Sequence, residues 1–300
     1  YSGFVNGETK TVLGGTLVLD TAYAKWSPVG EYDITATGYT SDNYAITFAK
    51  GTVTVSPAKF TVGTSGTYTY NGDVQLVSYD VLGVDGTSMT LDVDFTVSGE
   101  RQTDAGNYTL TVTGKGNYTG TQTAAWSIAK KALTVTADDK TVTYGDVKPD
   151  LTVSYSGFVS GEDEKVLGGA LEITTTYSKG SAVGTYPIEA SGYTSGNYAI
   201  TYVDGEVTVN PATFTLATSG TYTYSGVAQN VAYTAIGVDG KVLTVGTDFT
   251  IVSGASGTDA GDYTLTVSGI NNYTGTQTSA WSIGKAALTV TADDKTVIYG

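Results

Sequence analysis

The chain has 300 residues, 40% of them hydrophobic and 11% aromatic, which is enough apolar material to build buried cores. Its 15 Lys+Arg against 29 Asp+Glu leave a net charge of -14, which argues against a nucleic-acid partner and favours solubility. With no histidine and no cysteine there is no Ser-His-Asp or Cys-His centre, no thiolate site and no disulfide framework, and no run approaches the roughly 18 apolar residues of a membrane span.

Taken in chain order, residues 1–57 open with "YSGFVNGE" and pass through "VLGG", "GYTS" and "NYAIT" to "TVSPAKF". Residues 58–130 carry "GTYTY", "GVDG", "TDAGNYTL", "NYTGTQT" and "AWSI". The same words then return in order. Tyr1 recurs as Tyr155, an offset of 154, and one inserted residue after Gly99 makes the offset 155 from Asp104 to Asp259. Self-similarity at so long a period marks an array of domains rather than a solenoid. Each period divides into two distantly similar halves, so the organisation reads A-B-A-B: an A-type segment 1–57 lacking its first strand, a B-type segment 58–130, a full A-type segment 131–211, a B-type segment 212–285, and 286–300 as the first strand of a further A-type segment.

Within every segment the pattern is that of short strands. Tyr263, Leu265 and Val267 alternate with Thr264, Thr266 and Ser268, the period of two expected of a half-buried strand. Asp-Gly pairs at Asp204 and Asp239 predict hairpin turns, and no convincing helix is visible. Modules of about 75 to 80 residues with closely spaced turns predict small antiparallel Ig-like β-sandwiches, and short joints, two of them containing proline, predict a stiff rod.

"TDAGNYTL" looks like a site but returns in each B-type segment, and the A-type segments keep a reduced form, "VGEY" and "VGTY", without the acid. It reads instead as a tyrosine corner: Tyr108 and Tyr263 bond back to upstream backbone, while Leu110 and Leu265, two residues on, point into the core where antibody domains place a cysteine. Ile34 and Ile188 are the corresponding A-type core positions.

The A-type segment resembles the MBG-type repeat of large bacterial surface adhesins through "LTVTADDKTVTYGD", Pro149, Leu151, "YSGFVSGE", Leu167, "VGTYPI", "NYAITY" and "GEVTVNPA". The B-type segment resembles bacterial immunoglobulin-like repeats more loosely, through "TDAG", "YTLTV" and "NYTGT". The resemblance implies an exported, extracellular protein of the bacterial cell surface and assigns no catalytic, cofactor-binding or metal-binding residues.

Carboxylates are the only plentiful reactive groups. Asp138 and Asp139, Asp293 and Asp294, and the run Glu162 to Glu164 are expected to be solvated turns rather than a calcium site, since no spacing matches a calcium loop. Asp92 and Asp94 are not both kept in the other copy, where only Asp248 remains, so glycosidase chemistry is not expected and the chain is read as no enzyme. Lys130, Lys140, Lys285 and Lys295, with Asn117, Asn272, Gln122 and Gln277, are the residues an internal amide crosslink would use. Trp126 and Trp281 are expected in cores and Trp26, which has Gly180 as its counterpart, at the surface. The expected function is a structural stalk or fibre segment of an adhesin or extracellular filament, with an array binding glycans or host proteins through module surfaces as the alternative. Because 286–300 repeats the strand that 1–57 lacks, the chain reads first as a window of a longer array, with head-to-tail self-association by strand addition as the alternative homotypic partner mode.

Overall fold

Strand alternation decides which residues are core. The computed structural model describes residues 1–300 and contains no α-helix, only three single turns of 3-10 helix at Lys10–Val12, Glu164–Val166 and Val238–Gly240. Everything else regular is strand, as the threonine-, valine- and tyrosine-rich runs require. The chain forms two compact units, Tyr1–Lys131 with Gly196–Ala199, and Ala132–Ser195 with Ile200–Gly300.

In the first unit, strands Gly14–Thr21, Gly30–Thr40 and Gly51–Val55 make a three-stranded sheet in that order. The B-type half has a four-stranded sheet, Tyr68–Thr69, Thr121–Ala129, Gly106–Gly114 and Phe95–Ser98, faced by the pair Thr61–Ser65 and Ser78–Leu82. Leu110 and Val112 lie fully buried with Phe60, Val81, Phe95 and Ile128, so the alternating strand Gly106–Gly114 puts one face into a dry core.

The second unit repeats this plan and adds to it. Strand Lys140–Thr143 pairs in parallel with Gly205–Asn210, which continues through Gly184–Thr194 to Gly168–Thr175. A second sheet orders Val153–Ser156, Lys131–Ala137 and Tyr198–Val203. Ala137, Val142, Tyr177, Ile188, Val207 and Val209 fill the space between these layers. The B-type half has its own core around Phe214, Phe249, Leu265, Val267, Tyr273 and Trp281.

One expected hairpin is not a hairpin. Strands Tyr198–Val203 and Gly205–Asn210 flank Asp204 but belong to different sheets, so the Asp-Gly pair is a crossover between layers. The cause is a close backbone approach: a Cβ on Gly205 would come 2.4 Å from the Ala137 carbonyl oxygen, and the Asp139 carboxylate accepts the Glu206 N–H at 2.9 Å. Asp239 does lie in a tight turn, closed by the Gly237 N–H on the Lys241 carbonyl. The recurring "VLGG" and "GYT" words also acquire a cause. Gly15 and Gly38, like Gly169 and Gly192, oppose each other where the register of the strand pair slips, at positive φ, and a Cβ at Gly38 or Gly192 would sit 2.0 Å from a carbonyl oxygen.

Candidate functional site

The corner tyrosines fix the loops that meet neighbouring segments. Tyr108 donates to the Asp104 carbonyl and Tyr263 to the Asp259 carbonyl, both at 2.7 Å, while Tyr32 donates to Pro28 at 2.8 Å and Tyr186 to Ala182 at 2.9 Å. All four hydroxyls therefore reach the carbonyl four residues upstream, with or without the aspartate. Tyr108 is half-buried against Trp126 rather than fully enclosed, and the Trp126 ring N–H donates to the Gly99 carbonyl at 3.1 Å. Leu110, Leu265 and Ile188 are fully buried as expected, whereas Ile34 is only partly so.

Each A-to-B joint is closed by an asparagine. In the first unit the Asn117 side-chain oxygen accepts the Val29 N–H at 2.9 Å, across 88 residues of sequence. Its backbone carbonyl accepts Ala58 N–H, and Ala58 returns its own carbonyl to Thr119 N–H, both at 2.9 Å. In the second unit Asn272 does the same with Val183 at 2.9 Å and with Ala212, and Thr274 completes the loop. Asn117 and Asn272, named above as residues an amide crosslink would use, are thus turn residues that fasten consecutive segments. The second joint has more: Tyr144 packs edge-on against the buried Tyr273, and Lys179 pairs with Asp239 at 2.9 Å across exposed surface. Burial raises the Tyr273 hydroxyl above the ordinary tyrosine range.

Aspartate 104 has a role that its corner position did not reveal. Within the first unit, the Asn197 side chain donates to the Asp104 carboxylate and accepts the Ala105 N–H, both at 2.9 Å, while the Asn197 carbonyl accepts the Lys131 N–H. Beside it Tyr198 packs edge-on against Tyr70 at 5.5 Å. An asparagine carboxamide that both donates and accepts against one turn sets its orientation as well as its position. The sequence signal was available: Asn197 begins "NYAIT", repeated from Asn43.

The other singled-out side chains go elsewhere. Lys140 donates to Thr152 at 2.8 Å, and Thr152 to Asp138 at 2.6 Å, so the lysine is directed to a hydroxyl and not to Asn117, Asn272, Gln122 or Gln277. Asp163 caps the turn Glu164–Val166, and Asp94 and Asp248 cap turns by accepting the Thr90 and Thr244 N–H groups at 2.9 Å. Asp92 stands at φ 66 where the other copy has Gly246 at φ 84, a turn position in both. No three acidic side chains converge as metal ligands would. Trp26 is 62% exposed.

Residues 1–54 and 133–208 match the family model of the MBG domain (YGX type). No curated protein matches the chain. Among solved structures, the chain is similar to FdeC, an Escherichia coli adhesin, at 11% identity over 75% of this chain and 96% of that one, with a TM-score of 0.26. Sidekick-1 immunoglobulin domains 1–4 match at 11% identity over 86% and 83%, TM-score 0.28. The surface layer protein SbsC, domains 1–6, matches at 14% identity over 94% and 50%, TM-score 0.19. No helix is long and apolar enough to cross a membrane.

Proposed function

Starting from two MBG-type stretches in one all-β chain, we propose that this protein is a non-enzymatic, structural segment of a bacterial surface adhesin-type repeat protein, exposed outside the cell, whose work is to project or connect. The module boundaries are those of the repeat, with joints near residues 57, 130, 211 and 285. The observation that carries this reading is the asparagine fastener repeated at both A-to-B joints, Val29 to Asn117 and Val183 to Asn272. Backbone-to-carboxamide bonds across a joint resist bending there, and each contributes about 1 kcal/mol. A stiff extended segment and head-to-tail association of copies belong to the same reading.

A second reading, in which module surfaces bind glycans or host proteins, has one observation in its favour: Trp26 is exposed, with the Lys25 ammonium 5.0 Å above its ring. Small-angle scattering combined with a glycan array separates the two. The structural reading expects an extended profile that shortens on Asn117→Ala with Asn272→Ala, and no glycan signal. A glycan signal abolished by Trp26→Ala, with joints that flex freely in the native chain, would reverse the assignment.

A further inference from the structure

Segment 131–211 holds no tryptophan, methionine, cysteine or histidine, so the side chains that usually take oxidation first are absent and tyrosine is left to give up an electron. Two of its tyrosine pairs differ in how their hydroxyls are placed. Tyr177 and Tyr186 lie 5.8 Å apart, ring centre to ring centre, but their hydroxyls donate to separate carbonyls, Asp146 at 2.8 Å and Ala182 at 2.9 Å. Tyr155 and Tyr193 meet hydroxyl to hydroxyl. Tyr155 stands on Val153–Ser156 in one sheet and Tyr193 on Gly184–Thr194 in the other; their oxygens are 3.0 Å apart and their rings are inclined at 48°. Both rings are half-buried, open enough for a small oxidant. The pair is held from both sides: the Phe158 ring lies 5.6 Å from that of Tyr155, and the Tyr202 hydroxyl accepts the Tyr193 N–H at 2.7 Å. The same meeting recurs at Tyr1 and Tyr39, with hydroxyls 3.2 Å apart.

We propose that Tyr155 and Tyr193 are a modification site, at which a one-electron oxidant joins the two rings as dityrosine and so ties the two sheets of segment 131–211 covalently. The inference rests on the extracellular reading above for access to oxidant and goes beyond it in chemistry. Two equivalents of the oxidant remove one electron and one hydroxyl proton from each ring. The two phenoxyl radicals join through carbons ortho to oxygen, and the hydrogens on those carbons move to the oxygens, restoring both hydroxyls. The balance is one C–C bond formed, two protons released to water and two oxidant molecules each reduced by one electron. A bond ortho to both hydroxyls leaves the oxygens side by side on rings twisted about it, which is the disposition the pair already has. The rings must close by less than their own width, a movement that side-chain rotation supplies, and their enforced proximity favours coupling with each other over coupling with a second molecule. Antibody domains join their sheets with a disulfide; this chain has no cysteine, and a bond across the 38 positions from Tyr155 to Tyr193 would constrain the unfolded chain in the same way.

Photo-oxidation of the full chain in dilute solution, with a ruthenium bipyridyl sensitiser and persulfate, followed by tryptic mapping of the monomer, tests the site. The expected product joins peptide 141–165 to peptide 180–241 through Tyr155 and Tyr193, is lighter than the two together by two hydrogen atoms, and shows the violet fluorescence of a biphenol. Either Tyr155→Phe or Tyr193→Phe, which keeps the ring, is expected to lower its yield at least ~10-fold, because the coupling partner held in place is gone. Tyr177→Phe is expected to leave the yield unchanged, since the Tyr177 and Tyr186 hydroxyls point to different carbonyls. The joined monomer is expected to unfold at a temperature at least ~10 °C higher in this segment, read by hydrogen exchange on heating. No coupling, coupling that maps to other tyrosines of the segment, crosslinked oligomers alone, or a yield indifferent to both variants would overturn the site. A joined product that unfolds at an unchanged temperature would overturn its role as a tie between sheets. Each of these results leaves the scattering and glycan tests of the structural reading standing, since those use the unoxidised chain.

Discussion

Residues 1–57 and 131–211 carry nearly the same words, yet they are not equally folded. The longer segment begins with Lys131–Ala137 and Lys140–Thr143; the shorter has no counterpart of either strand. Tyr198–Val203 is a strand, whereas the matching residues 44–49, although they begin with the same "NYAIT", form none. Tyr177 is 3% exposed and Tyr23 42%. Ile188 is fully buried, and Ile34, on the same corner motif, is not. In 131–211 the strand Lys131–Ala137 supplies the hydrogen-bonding edge for Tyr198–Val203 and buries Leu133, Val135 and Ala137, contacts that residues 1–57 do not themselves carry. At the joints, Tyr144 covers Tyr273, while Tyr118 is partly open.

The largest expected way to break this comparison is to remove an apolar side chain at the same motif position in both segments. Ile188→Ala leaves a cavity in a closed core and is expected to cost about 3 kcal/mol, while Ile34→Ala, at a site already reached by water, is expected to cost less than half of that. Hydrogen-exchange mass spectrometry in urea reads each segment separately. Equal costs would show that Ile34 is as well packed in solution as Ile188.

Alkaline titration probes the same contrast. Tyr155 is pushed well above the ordinary tyrosine value of about 10, first by burial and then by its hydroxyl contact with Tyr193 at 3.0 Å. Its counterpart Tyr1 is raised chiefly by the hydrogen bond to Tyr39 and lies exposed, where solvent screens the effect. A folded-state value raised above the unfolded one gives stability that is whole below about pH 10 and is lost as pH rises through the folded value, because the unfolded tyrosine ionises first. Segment 131–211 should therefore lose more protection than 1–57 between neutral and strongly alkaline pH, and Tyr155→Phe should flatten its loss.

The joints offer a smaller contrast. Asn272→Ala is expected to cost about 1.5 kcal/mol, because it also exposes the packing around Tyr273, and Asn117→Ala about 1 kcal/mol. In both positions Asp restores the accepting oxygen, so Asn→Asp should recover most of the loss. Thermal unfolding of the single variants checks the order; no recovery by Asp would mean that the carboxamide nitrogen, and not the oxygen, closes the joint.

Much of this architecture was legible from the sequence for a physical reason: strand alternation, corner tyrosines and core leucines act locally, so Tyr108, Leu110 and Trp126 could be placed from spacing alone. The joints were not legible, because Asn117 and Asn197 each bond residues about 90 positions away, and a turn asparagine carries no mark of its distant partner. Asp204 was misplaced for the same kind of reason. An Asp-Gly pair specifies a bend, but whether the chain bends within a sheet or across to the other layer is decided by the Ala137 strand it must pass.

The smallest expected effect concerns a turn where, as at Asp92 and Gly246, the copies differ in residue but not in shape. Trp26 holds φ 75 and Gly180 φ 90, and both turns close alike, Ser27 on Ala24 and Ser181 on Ser178. Nothing lies within 4 Å of a Cβ built at Gly180, so Gly180→Ala isolates the backbone cost, about 1 kcal/mol for a left-handed L-residue. Trp26→Gly removes a similar cost, offset by the greater freedom of glycine in the unfolded chain and by the lost Lys25 contact, about 0.5 kcal/mol each. The expected net change at Trp26 is within about 0.5 kcal/mol, measured by chemical unfolding. A loss of 2 kcal/mol or more on Trp26→Gly would show that the exposed indole packs against something the free segment does not display.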